Sequence, residues 1–252
     1  MRCPAGVPPP PDGSMPVSRG LLRDLGDSLV EIQGQFEQRG LLASTRPIAL
    51  SRRSTTVAIW WRPRSGWSTR MSPTTKCTRS RQGTERVSWI KADGQTLRLP
   101  LRFDLIYMTG HAFQALLTDD DAIAVLRTVR DHLTKDGRFA FESRNPARRA
   151  WLSWTPDKRK LATTDGHGRI EEFFDTVADA QTGIVNILHH YRFLDTDKLT
   201  EGRSRIRFVD QDHLMRLLAV ANLTPITWYG DWDRTPITPT SRELIVVTRR
   251  AD

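Results

Sequence analysis

The sequence predicts an α/β fold with a buried, mainly parallel sheet that ends in an antiparallel hairpin. Three observations support this prediction. Residues 103–108 (FDLIYM) form a continuous apolar run, which is typical of a strand buried on both faces. An amphipathic helix pattern follows this run, and a second apolar strand follows the helix. A strand, a helix and a strand joined by short connections indicate a right-handed parallel crossover.

The strands of this domain can be placed from residue 87 onward by their short apolar or alternating runs. The predicted strands cover residues 87–91, 103–108, 138–142, 171–177, 184–193, 203–208, 224–229 and 243–248. The last two are separated by a loop rich in Gly, Asp, Trp and Pro. They predict a closing hairpin, which is an uncommon end for a doubly wound sheet.

Three helices are predicted. Thr118 is expected to cap the first helix of the α/β domain, because three aspartates follow it at the positive end of the helix dipole. That helix is expected to close at Gly137. A second helix follows Asp210, with Asn222 as its left-handed C-cap. A further apolar stripe predicts an N-terminal helix over residues 18–42.

The positive charge of the chain is confined to one segment. The 252 residues carry 38 Lys and Arg against 29 Asp and Glu, a formal net charge of +9. Residues 51–92 contain ten basic side chains and one acidic one, and the rest of the chain is balanced. The excess positive charge is therefore a property of this segment, and the net charge of the whole chain does not indicate an anionic partner. No apolar run is long enough to span a membrane, and no secretory signal is recognisable, so a cytoplasmic protein is predicted.

Residues 51–92 also have an unusual composition. They hold 14 Ser or Thr and four of the eight Trp, and no sustained helical or strand period precedes Val87. Three interpretations stay open. The segment is a basic disordered insertion, or a surface for single-stranded nucleic acid, or an out-of-frame translation of GC-rich coding DNA. The third is favoured and nucleic-acid binding is least favoured.

Three regions follow from these patterns. Residues 1–17 are rich in proline and are predicted to be a disordered tail. Residues 18–86 form an anomalous N-terminal region that contains one helix and then the basic Ser/Thr/Arg/Trp-rich segment. Residues 87–252 form the α/β domain. The two cysteines and the scattered histidines do not have the spacing of a metal site, so no metal is predicted.

Four segments of the α/β domain resemble a known family when they are taken in order. These are VSWIKADGQTLRLPLRFDLIYMTGHAFQALL, LTKDGRFAFESRNP, RIRFVDQDHLMRLLAVANLTPITWYGDWD and ELIVVTRR. They resemble the later part of a class I S-adenosylmethionine-dependent methyltransferase of the small bacterial type that acts on small molecules. The resemblance implies a Rossmann-like three-layer sandwich whose last strand is inserted antiparallel. It also implies S-adenosyl-L-methionine as cofactor and a small-molecule acceptor as substrate.

The resemblance further implies roles for residues that follow the strands. Asp93 matches the acid that accepts a hydrogen bond from the adenine amino group, and Gly94 lets the backbone approach the ring. The loop after the next strand would line the methionine part of the cofactor; its residues are Thr109, Gly110, His111 and Phe113. His111 is also a weak candidate for a general base.

The acceptor side is implied in the same way. Asn145 follows the next strand and would face the substrate. Aromatic residues would wall an apolar acceptor pocket; these are Trp151, Trp154, Tyr229 and Trp232. The resemblance leaves the acceptor atom open between oxygen, nitrogen and carbon, and the sequence does not predict the oligomeric state.

The chain departs from the family in its N-terminal third. The family begins its cofactor site with a strand and a glycine-rich turn, and an acid at the end of the second strand binds the ribose. Neither is found upstream of Asp93, and no carboxylate occurs between Glu37 and Glu85. The N-terminal β-α-β unit is therefore predicted to be incomplete. We expect weak binding of the cofactor or none, and a non-catalytic remnant or interaction protein is the alternative function.

Overall fold

The computed structural model describes residues 46–52, 55–61, 87–164 and 168–251. The strands of this part are β1 (Arg46–Arg52), β2 (Thr55–Trp61), β3 (Val87–Lys91), β4 (Phe103–Met108), β5 (Leu133–Arg144), β6 (Lys160–Thr164), β7 (Gly168–Ala178), β8 (Ile184–Phe193), β9 (Lys198–Arg207), β10 (Leu223–Tyr229) and β11 (Glu243–Arg250). The α-helices are α1 (Asp119–His132) and α2 (Gln211–Val220). Short 3-10 helices cover Ala112–Ala115, Pro146–Arg148 and Ala150–Ser153.

Seven strands form one sheet in the order β10-β11-β5-β4-β1-β2-β3. β4 pairs parallel with β5, and β2 pairs parallel with β3. β1 lies between β2 and β4 and is antiparallel to both. β2, β3, β4 and β5 therefore run in the same direction, and their carboxyl ends lie at the same edge of the sheet.

Two strands, β1 and β2, lie before residue 87, although the sequence of residues 51–92 shows no sustained strand period before Val87. β1 and β2 are separated by two residues and pair antiparallel, with Ile48 opposite Ile59 and Leu50 opposite Val57. Each run has only seven residues, so its weak alternation gives little signal until a neighbouring strand supplies the hydrogen bonds. Two residues cannot contain a crossover helix, so β1 and β2 do not form a β-α-β unit. Residues 62–86, between the parallel strands β2 and β3, lie outside the described residues, and an incomplete N-terminal β-α-β unit stays a prediction.

The start of α1 agrees with the prediction and its end does not. The Thr118 hydroxyl accepts a hydrogen bond from the Asp121 backbone N–H at 3.1 Å. The helix ends at His132, and the next five residues already belong to β5. Gly137 does not close the helix, because it lies within β5, where a Cβ atom would stand 2.8 Å from the Phe103 carbonyl oxygen. This glycine allows close contact between neighbouring strands.

The hydrophobic core lies between the two helices and one face of the large sheet. The side chains that α1 and α2 direct toward the sheet include Leu126 and Leu218, which are fully buried. They pack with alternate residues of β5 and β11, among them Phe139, Phe141 and Val246. Alternation along β5 then leaves Ala140, Glu142 and Arg144 on the opposite face.

The C-terminal hairpin is confirmed. β10 pairs antiparallel with β11, and β11 is inserted next to β5, to which it is also antiparallel. Asn222 precedes this hairpin with a φ of 56°, the left-handed conformation predicted for it.

A second sheet of four antiparallel strands follows β5 in the order β6-β7-β8-β9. Three of these strands were predicted, and the short strand β6 was missed because its sequence KLATT has no clear alternation. The predicted tail over residues 1–17 and helix over residues 18–42 lie outside the described residues. Within the described part of the chain, no helix is long and apolar enough to cross a membrane.

Candidate functional site

The site lies at the edge where β3, β4 and β5 end. Asp93 and Gly94 follow β3, the loop of Thr109, Gly110 and His111 follows β4, and Asn145 follows β5. In open α/β sheets, ligands bind beyond the carboxyl ends of the parallel strands. The edge is therefore where a ligand is expected, and most of the predicted site residues come to it.

Asp93 shapes the turn after β3. Its Oδ1 accepts a hydrogen bond from the Gln95 backbone N–H at 2.9 Å, and its carbonyl oxygen accepts one from the Leu97 N–H at 2.9 Å. Gly94, at the start of this turn, is buried. This geometry is an Asx turn. The adenine-binding role of Asp93 and Gly94 stays a prediction.

The loop after β4 has two consecutive residues in the left-handed conformation. The φ angles are 67° for Gly110 and 55° for His111. A residue other than glycine in this conformation costs about 1–2 kcal/mol. Such strain persists only where surrounding contacts impose it, and it is concentrated at functional sites. The unusual backbone of His111 therefore supports its selection as a candidate site residue.

The Glu142 carboxylate fixes this loop. Its Oε1 accepts the His111 backbone N–H at 2.7 Å, and the Gly110 N–H also hydrogen bonds to the carboxylate. Successive N–H groups in such a turn form a concave anion-binding arrangement, and an internal carboxylate fills it here. The second oxygen, Oε2, is buried and has no hydrogen-bond partner among the described residues.

The environment of Glu142 favours its protonated form. The residue is only 2% exposed. Burial, and then the nearby Glu243 carboxylate, raise its pKa from 4.5 to about 7, although the loop N–H groups and Arg144 act in the opposite direction. A carboxyl group with a pKa near neutrality can exchange a proton at physiological pH, which is what acid–base catalysis requires.

His111 is also held through its ring. Nε2 lies 3.1 Å from both oxygens of the Glu243 carboxylate. Glu243 begins β11 and lies directly opposite Arg144 of β5. A carboxylate beside an imidazole fixes the orientation of the ring.

Arg144 connects this cluster to aromatic side chains. Its guanidinium donates a hydrogen bond to Gln114 Oε1 at 2.8 Å, and its Cζ lies 5.2 Å from the centre of the Trp154 ring. Trp154 and Trp151 both pack against Phe208, with ring centres 6.3 and 4.5 Å away. The two tryptophans therefore lie beside the charged cluster.

The other predicted residues occupy varied positions. Phe113 is buried and stacks on Phe141 with ring centres 4.5 Å apart, so it belongs to the core.

Both polar atoms of the Asn145 side-chain amide are hydrogen bonded within the protein: Oδ1 accepts the Ala147 N–H, and Nδ2 donates to the Ser241 carbonyl oxygen. Tyr229 is half-buried at the end of β10, and Trp232 is 47% exposed in the loop that follows. These positions do not test the substrate roles of Asn145, Tyr229 and Trp232.

The sequence reasoning missed four residues that organise the cluster, namely the neutral Gln114 and the charged Glu142, Arg144 and Glu243. A signal was present, because Glu142 and Arg144 interrupt the apolar pattern at the carboxyl end of a buried strand. Among the described residues, no group of three or more His, Cys, Asp and Glu side chains could hold a metal ion.

Comparisons with known proteins identify the fold. No family model matches the chain, and no curated protein matches it. Among solved structures, the CcbJ methyltransferase from Streptomyces caelestis is similar at 20% identity and a TM-score of 0.57, over 68% of this chain and 67% of that one. A S-adenosylmethionine-dependent methyltransferase from Clostridium acetobutylicum ATCC 824 is similar at 13% identity and a TM-score of 0.55, over 65% of each chain.

The matched region spans about two thirds of the length of these two proteins. Likeness at such low identity concerns the arrangement of the strands and helices. The chain therefore has the fold of the class I S-adenosylmethionine-dependent methyltransferases.

Proposed function

We propose that the site serves S-adenosylmethionine-dependent methyl transfer to a small-molecule acceptor, and that this chain performs the reaction poorly. The observation that carries the proposal is the cluster of His111, Glu142 and Glu243 at the carboxyl edge of the sheet, beside Trp154. It combines a strained loop, a carboxyl group that titrates near neutrality and an oriented imidazole. The cofactor would supply an activated methyl group, so the protein has to position the acceptor, exclude water and accept a proton.

The residues at this edge fit only part of the cofactor. Asp93 and the loop from Thr109 to His111 match the positions that hold the adenine and methionine ends. Among the described residues, the glycine-rich turn has no counterpart: β1 runs opposite to β4, so its carboxyl end lies at the far edge, and two residues of sequence separate it from β2. The residues after Trp61 are Arg62, Pro63 and Arg64. None of them has a carboxylate that could accept hydrogen bonds from the ribose hydroxyls.

An incomplete cofactor surface is also the observation behind the second candidate function, a non-catalytic methyltransferase remnant or interaction protein. Each hydrogen bond to a charged group contributes about 1.5–3 kcal/mol. Loss of the ribose carboxylate alone, which accepts two such bonds, would weaken binding by roughly 100-fold or more. The two functions differ in whether any methyl transfer remains.

A turnover assay distinguishes methyl transfer from the non-catalytic alternative. The purified chain is incubated with methyl-labelled S-adenosylmethionine and a panel of small amines, alcohols and phenols, and release of S-adenosylhomocysteine is measured. We expect slow, acceptor-dependent release that does not saturate below millimolar cofactor. Absence of release at every concentration would exclude the proposed activity and favour the non-catalytic protein. Saturation at low-micromolar cofactor would contradict the proposed impairment.

Two further predictions stay open. The cytoplasmic location is one of them and is an expectation from the sequence alone. Nucleic-acid binding through residues 51–92 remains the least favoured function, and most of that segment lies outside the described residues. A shift of single-stranded DNA that weakens with salt and disappears when residues 62–86 are deleted would support it.

A further inference from the structure

The strand β9 lies at one edge of the second sheet and is open to solvent. The order of this sheet ends at β9, which pairs with β8 and with no other described strand. Leu199 is 51% exposed and the Glu201 side chain 48%, and Arg203 and Arg205 are also exposed. An open edge strand presents a row of backbone N–H and C=O groups that can pair with a strand of another chain. The edge of β9 is therefore a candidate interaction surface.

The register between β8 and β9 identifies the residues that present these backbone groups. The Phe208 N–H donates to the Gly183 carbonyl oxygen at 2.8 Å, directly beyond the paired segment. Because hydrogen-bonded pairs alternate along an antiparallel ladder, the even-numbered residues of β9 bond to β8. The odd-numbered residues direct their backbone groups outward; these are Leu199, Glu201, Arg203, Arg205 and Arg207. In agreement, the Arg207 carbonyl oxygen accepts a hydrogen bond from Gln114 Nε2 at 3.2 Å, so only this end of the outer edge is bonded to a described residue in the same chain.

The charges of β9 are arranged so that the strand can pair with its own copy. In a two-fold antiparallel pair, outward residues face outward residues only when the axis passes beside a residue that lies opposite itself. Two such registers keep nearly the whole strand paired. The register centred on Gly202 places Glu201 opposite the partner's Arg203, twice by symmetry, whereas the register centred on Arg203 places two arginines opposite each other. Opposite charges across a ladder stabilise it and like charges destabilise it, so the charges select the register centred on Gly202.

We propose that this chain forms a symmetric dimer in which β9 pairs antiparallel with β9 of a second copy, centred on Gly202. The two four-stranded sheets then form one continuous sheet. The outward residues from Leu199 to Arg205 of both copies supply about eight backbone hydrogen bonds, and glycine at the centre has no side chain to separate the strands where they come closest. The other edge strand, β6, offers no such match, because its sequence KLATT contains a lysine and no acid.

Sedimentation equilibrium of the full chain tests for this dimer. The backbone hydrogen bonds predict a dissociation constant of about 100 μM or tighter. Hydrogen exchange followed by NMR locates the interface in the native chain. The outward amides of Glu201 and Arg203 should exchange more slowly as the protein concentration rises, whereas the amides of Thr200 and Ser204, which bond to β8, should not change. A chain that is monomeric at about 500 μM, or outward amides whose exchange does not depend on concentration, would overturn the inference.

Charge reversal tests the register. Glu201→Arg and Arg203→Glu should each weaken dimerisation at least about tenfold, because each replaces both ion pairs by pairs of like charge. An equimolar mixture of these two variants should dimerise with native affinity, since one copy then supplies both arginines and the other both glutamates. Arg205→Glu is the matched control, because Arg205 faces the partner's Leu199 in this register, and its mixture with Glu201→Arg should stay weak.

The mixtures decide between the registers. Recovery with Arg205→Glu, or no recovery with Arg203→Glu, would contradict the register centred on Gly202. Glu201 lies 3.4 Å from the His190 ring nitrogen Nδ1, so each variant is first checked for cooperative melting. The exchange measurement needs no variant, and it decides the inference if a variant does not fold.

Discussion

The free energy of unfolding of the native chain is expected to fall by about 3 kcal/mol as the pH rises from about 4.5 to 7, because burial raises the pKa of Glu142 to about 7. The Glu142→Gln variant has no carboxyl group at this position and should not show this fall. Below pH 4.5 the carboxyl group is protonated in both the folded and the unfolded chain. Between 4.5 and 7 the unfolded chain releases its proton while the folded chain keeps it, so the free energy of unfolding falls. Above pH 7 the penalty is complete and constant.

Urea unfolding at a series of pH values measures this effect as the difference between the two proteins. Glu172→Gln is the matched control. The hydrogen bond from His189 lowers the pKa of Glu172, so this residue stabilises the fold above its ordinary pKa and loses that contribution only in more acidic solution. The control should keep the native slope between pH 5 and 7. A Glu142→Gln variant with the same slope as the native chain would refute the assignment of a raised pKa to Glu142.

Replacing Phe141 with alanine is expected to lower the free energy of unfolding by about 3–5 kcal/mol. The ring is fully buried and stacks on Phe113 at 4.5 Å and on Phe139 at 5.1 Å, so its removal leaves a cavity beneath the loop after β4. Because this loop carries His111, the variant should also shift the His111 amide resonance.

Leu161→Ala is the control for that variant, because Leu161 is an apolar residue that is 72% exposed on β6. It should change the free energy of unfolding by less than about 0.5 kcal/mol. Chemical denaturation of the two variants and the native chain makes the comparison. A cost below about 1.5 kcal/mol for Phe141→Ala would mean that the core is not packed as described.

The elements that could be predicted from the sequence are those defined by local interactions. The Thr118 cap depends on a hydroxyl and an N–H three residues away, and the left-handed Asn222 depends on its own backbone preference. The end of α1 was misplaced because it depends on the contact between Gly137 and Phe103, two residues that are distant in sequence and that sheet pairing brings together. β1 and β2 were missed for a related reason: their runs are short, and their strand character comes from their neighbours.

In the candidate site, too, the residues that depend on local sequence could be predicted, and those that depend on distant contacts could not. His111 and its loop could be predicted because they directly follow a clear buried strand. The role of Glu142 depends on a hydrogen bond across 31 positions of sequence, and the contact between His111 and Glu243 spans 132 positions. Which charged residues meet at the edge depends on the register between β5 and β11, and no local pattern specifies that register.

The described residues have the fold of a class I methyltransferase, and we propose that the cofactor side of this fold is incomplete. Isothermal titration of the purified chain with S-adenosylmethionine tests it most directly. Because β1 runs opposite to β4 and the sequence has no acid between Trp61 and Glu85, we expect a dissociation constant weaker than about 1 mM. A dissociation constant in the low-micromolar range would contradict the claim and would require a cofactor site built from other residues.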